Sequence, residues 1–128
     1  MKYAYSKKIN LSFDETIKKL REKLQEVGFG VLTEIDVKAT MKKKLNIDYD
    51  NYLILGACNP PFAHKALQSE KEIGLLLPCN IIVYEDNGEV YVSTILPTVS
   101  MNMVENDNLE EIAKEIESKL ISVIDAVK

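Results

Sequence analysis

Apolar residues recur along this chain with two distinct periods. Phe13, Ile17, Leu20, Leu24 and Val27 fall three and four positions apart, which predicts one face of an amphipathic helix. Ser12 opens that helix as an N-cap, Glu15 completes a capping box, and Gly28 stops it. A second helical stripe joins Leu109, Ile112, Ala113, Ile116, Leu120, Val123, Ile124 and Val127, broadened by Ile121, with Asp107 as its cap. Between the two helices the pattern changes to alternation and short apolar runs, which are the marks of strands.

Lys2 to Ile9 alternates weakly, offering Tyr3, Tyr5 and Ile9 for packing. Gly30 to Val37 puts Val31, Thr33, Ile35 and Val37 on one side of a half-buried strand. Ala39 to Asn46 predicts a short helix with Met41 and Leu45 inward. Tyr52 to Cys58 is almost continuously apolar, as in a central strand covered on both faces or lying at an interface. Asn59 follows as an N-cap, Pro60 suits a first helical turn, and Phe62, Ala63, Ala66 and Leu67 carry the helical period. Ile73 to Leu77 is an apolar link broken by Pro78. Asn80 to Glu85 and Val90 to Leu96 are strands joined by the tight turn Asp86-Asn87-Gly88-Glu89. No period is visible from Pro97 to Asn106. The order βαββαββα predicts an α+β fold, a two-layer sandwich of a mainly antiparallel sheet with helices packed against it.

The 128 residues form a single α+β domain, 1–128, long enough for a core without staples. A net charge of -4 argues against a nucleic-acid partner, since phosphate neutralisation needs a concentrated basic face. Lys42-Lys43-Lys44 is the only basic run and reads as a solvated face, leaving a weak anion-site candidate. No apolar leader follows Met1, and no stretch approaches the ~20 apolar residues of a membrane span. A cytoplasmic protein with reduced cysteines and no membrane partner is therefore expected.

Both cysteines, the only histidine and three of the four prolines lie between Tyr52 and Glu85. Within that stretch, YLILGACNPPFAHKAL followed by IGLLLPCNIIVYE and a hairpin resembles the bacterial and archaeal domain of unknown function 302 family. The pairs Cys58-Asn59 and Cys79-Asn80 are the most specific markers, and the likeness extends over essentially the whole chain. The resemblance implies a small, soluble α+β fold that is commonly a homodimer; it implies no reaction.

Candidate chemistry gathers at the same residues. Cys58 is predicted where a strand gives way to a helix, and free backbone N–H groups there favour a thiolate of lowered pKa. It is the candidate catalytic residue. Cys79 enters the next strand and could approach Cys58 across the sheet; the plain alternative is that both are small buried hydrophobes. His64, a few positions into the helix, is poorly aligned to serve Cys58 as a base and reads as a surface residue. With Cys58, Cys79 and His64, Met101 and Met103 would make a soft-ligand set for copper(I) or haem, although methionine more often fills gaps in cores. The expected ligand site comprises Cys58, Asn59, Pro60, His64, Cys79 and Asn80. No Ser–His–Asp triad, phosphate-cradling loop or dinucleotide fingerprint is present.

Three functions follow. The first is a domain binding a small molecule or soft metal around the two Cys-Asn pairs. The second is a thiol-dependent enzyme or sulfur carrier using Cys58, and the third a structural dimerisation module.

Overall fold

The computed structural model describes residues 2–128. Strands β1 (Ala4–Ile9), β2 (Gly30–Asp36), β3 (Tyr52–Cys58), β4 (Cys79–Asp86) and β5 (Glu89–Ile95) form one sheet. Its order is β1-β5-β4-β3-β2, and every neighbouring pair is antiparallel. The helices are α1 (Phe13–Glu26), α2 (Val37–Leu45), α3 (Pro60–Ser69), the short α4 (Pro97–Ser100) and α5 (Asp107–Ala126), with 3-10 turns at Lys71–Leu76 and Asn102–Val104. The α+β sandwich and its element order thus agree with the sequence pattern; α2 forms close to the short helix expected there, and α4 and the 3-10 turns are added between the main elements.

Register explains the core. Across β3, β4 and β5 the pairs Leu53↔Val83, Leu55↔Ile81 and Val83↔Val92 place one apolar row on one face of the sheet. Leu20 and Leu24 of α1 and Leu120, Val123 and Ile124 of α5 close over that face, and all are buried. Burial of each such side chain is worth about 1.5–3 kcal/mol, so this row and its two lids dominate stability. The other face carries a row of tyrosines: Tyr52 stacks on Tyr84 and Tyr84 on Tyr91, with ring centroids 5.5 Å and 5.2 Å apart.

Local signals acted as expected at several ends. Ser12 and Glu15 form both halves of the capping box, and Gly28 adopts φ +86 immediately after α1. Asn87 and Gly88 both take positive φ between Asp86 and its partner Glu89, as a two-residue hairpin turn requires.

Other ends depart from the pattern. Asn106, not Asp107, caps α5, because its side chain accepts from the N–H groups of Asn108 and Leu109. The expected single face of β2 is divided: a bulge between Val31 and Thr33 inserts Leu32. Val31 consequently packs toward the core while Thr33 and Ile35 turn outward, and Val37 begins α2 rather than ending the strand. Leu45 does not point inward; it is 63% exposed, and α2 buries none of its residues. β3 is next to the sheet edge rather than central, with only one face under α1 and α5. Tyr3 precedes β1 and is exposed.

Candidate functional site

The stretch from β3 to β4 positions the candidate residues. Ala57 pairs directly with Cys79, so Cys58 at the last position of β3 lies one step along from the first position of β4. Pro60 starts α3 at once, and Phe62, Ala63 and Ala66 lay one face of that helix toward the strand ends. On the far side α5 contributes Ile112 and Ile116, and Met101 arrives from the turn after α4. These groups enclose a cavity of about 30 Å³ whose wall includes Cys58, Asn59, Pro78, Cys79 and Met101. Cys58, Cys79 and Met101 therefore all border a single, mainly apolar space.

Electrostatics at the thiols run opposite to the expectation for a helix N-terminus. Burial pushes the Cys58 thiol up rather than down. Cys79 is pushed further, to about 11, mainly by burial and secondarily by the neighbouring Cys58 charge. No cation lines the cavity to reward a thiolate, so removal from water sets the direction. Both thiols are free of disulfide and protonated near neutrality.

The remaining candidates divide. Asn59 is buried but does not cap α3; its Nδ2 donates instead to the Val27 carbonyl at 3.4 Å, tying the end of α1 to the mouth of the cavity. Pro60, His64 and Asn80 are exposed and do not line the cavity. Met103 is 70% exposed and stays apart, whereas Met101 is buried. Among the described residues no group of three or more His, Cys, Asp and Glu side chains could hold a metal ion. Any metal held here would have to use Met101 beside the two cysteines.

Sequence patterns did not single out Phe29, Leu77, Pro78, Ile112 or Ile116 as cavity walls. One signal was available. Gly56 interrupts an otherwise apolar strand, and a glycine there marks the close approach of another group. The space a Cβ would need is filled by Thr33 and by Pro78, whose Cγ would stand 2.6 Å away. Pro78 is thus seated against β3 directly before Cys79.

Comparison with known proteins agrees with the fold. A crystal structure of an uncharacterised conserved DUF302 protein from Bacillus stearothermophilus superposes with a TM-score of 0.94 at 32% identity, each chain covered over 100% of its length. No curated protein matches the chain. No helix among the described residues is long and apolar enough to cross a membrane. The family model for the domain of unknown function DUF302 matches residues 5–127, and the chain belongs to that family.

Proposed function

We propose that this chain is a binding domain whose occupant is a single small, thiophilic species held at Cys58 and Cys79. The observation that carries this reading is that both cysteines border one cavity walled, apart from Asn59, by apolar groups. Size narrows the occupant. At about 30 Å³ the space exceeds the ~10–15 Å³ that one water needs but falls far below the ~300–1,000 Å³ of ordinary small-molecule pockets. A metal ion or a species of a few atoms fits; a metabolite does not. Thiol catalysis has less support, since both thiols are raised in pKa and exposed His64 stands apart from the cavity.

Thermal unfolding of the reduced protein with cadmium and with methylmercury tests the reading. Both probes should raise the melting temperature of the wild type. The effect should disappear in Ala66→Val, which fills the cavity, and in Cys79→Ala. If neither probe stabilises the wild type, or if Ala66→Val responds equally, the cavity is not the binding site.

A second reading, compatible with the first, is that two copies of the chain associate through the segment around α2. Leu32, Ile35, Leu45, Ile47 and Tyr49 are five of the nine large hydrophobic residues exposed among those described. Scattered exposed apolar residues are ordinary, but their concentration on one continuous segment marks an interaction surface. A standard interface needs ~800 Å² from each partner, and the adjoining tyrosine row on the open sheet face extends the apolar area toward it. Light scattering at micromolar concentration should give twice the chain mass, and Leu45→Lys with Tyr49→Lys should give a monomer. A wild-type monomer would remove this reading.

A further inference from the structure

We infer that the cavity is a cuprous-ion site in which Cys58, Cys79 and Met101 supply three sulfur ligands. This inference rests on the binding-domain reading above and specifies its occupant. The choice follows from the donors. The cavity wall offers two thiols and one thioether, with a single carboxamide at Asn59 whose Nδ2 is already bonded to Val27. It offers no carboxylate and no imidazole. Magnesium and calcium require oxygen donors, and zinc almost always takes four ligands including thiolate, imidazole or carboxylate. Thiolates together with a thioether select a soft ion such as Cu(I).

The surroundings favour the same ion. Ala57, Phe62 and Ile116 present only hydrocarbon around the sulfur-bearing residues, which withholds the water and oxygen donors that harder ions require. Phe62 and Ile112 also line an open groove of about 650 Å³ between α3 and α5. The partition between solvent and sulfur on that side is therefore made of side chains, which can rotate to admit an ion.

The binding step is a ligand exchange. A Cu(I) complex of a small thiol releases its copper as a bond to that carrier breaks and a Cu–S bond forms at a cysteine. Each cysteine proton passes to a departing carrier thiolate or to solvent. Copper remains cuprous throughout and no electron is transferred. With both cysteines bound as thiolates and Met101 as a neutral thioether, two protons leave and the bound site carries one negative charge.

The test uses the reduced full chain without oxygen, titrated with Cu(I) in competition with a chromophoric chelator and examined by X-ray absorption at the copper edge. One copper per chain is expected, with sulfur as the only first-shell scatterer. Met101→Leu preserves volume; it should retain the wild-type melting temperature within a few degrees and weaken Cu(I) at least tenfold. Cys58→Ala and Cys79→Ala should each weaken it at least a hundredfold, while His64→Ala and Met103→Leu leave it unchanged. Nitrogen or oxygen in the first shell, an unaltered affinity in Met101→Leu, or a loss in His64→Ala overturns the assignment. If Cu(I) fails to bind while cadmium or methylmercury still stabilises through the cavity, the copper assignment falls and the binding domain stands. If all three fail, both fall.

Discussion

Gly56→Ala is the most informative single substitution, because two effects of known sign oppose each other there. Alanine in a strand interior gains about 0.5–1 kcal/mol over glycine by restricting the unfolded chain. Against that, the new methyl would meet Thr33 Oγ1 and stand 2.6 Å from Pro78 Cγ, inside the distance that real Cβ atoms keep. Overpacking of this kind costs about 1–3 kcal/mol. The threonine hydroxyl can rotate, but the proline ring is rigid and bonded to the backbone directly before Cys79, so the cost wins. A net loss of about 1–2 kcal/mol is expected, equivalent to a fall of roughly 5 °C in melting temperature for a domain of this size. Calorimetry or thermal circular dichroism reads it. Adding Thr33→Ala to Gly56→Ala should restore part of the loss, a coupling visible in a double-mutant cycle. The same displacement of Pro78 should weaken thiophilic ligands. A Gly56→Ala protein as stable as the wild type, or more so, would refute the packing of Thr33 and Pro78 over β3.

Alkylation of the folded protein should be slow at both cysteines, and slowest at Cys79, whose pKa near 11 against an ordinary 9.0 leaves about a hundredfold less thiolate at neutral pH; fast labelling of Cys79 would contradict its burial. The same raised pKa makes stability present below the ordinary thiol value and lost as pH rises from 9.0 toward about 11, a loss that denaturation of Cys79→Ala should not show. Asp125 works in the opposite sense. Its pKa is lowered by Lys7 and then by Tyr5, so its contribution is present above the ordinary carboxyl value and lost as pH falls through the depressed one; Asp125→Asn should flatten this part of the acid limb in pH-dependent unfolding. Asn59→Ala should cost about 1 kcal/mol in denaturant unfolding by removing the bond to Val27, and an unchanged midpoint would show that bond to be idle.

Periodicity and local chemistry alone determined much of the fold. The stripes of α1 and α5, the Ser12–Glu15 capping box and the Asn87-Gly88 turn depend on neighbours within a few positions, and each forms where the pattern puts it. Cys58 and Cys79 were legible as candidates because both fall where one element gives way to the next. What tertiary structure decided lies between segments distant in sequence. The bulge at Leu32 and the exposure of Leu45 depend on how the β2 edge is left, which no period records. The direction of the Cys58 pKa is set by its burial among residues of α3 and α5, which no local pattern records. Likewise Met101 joins the thiols while Met103 faces water, although the two are only two positions apart. A contact between elements is fixed by packing of the whole core, and a one-dimensional pattern carries the faces of each element but not which faces meet.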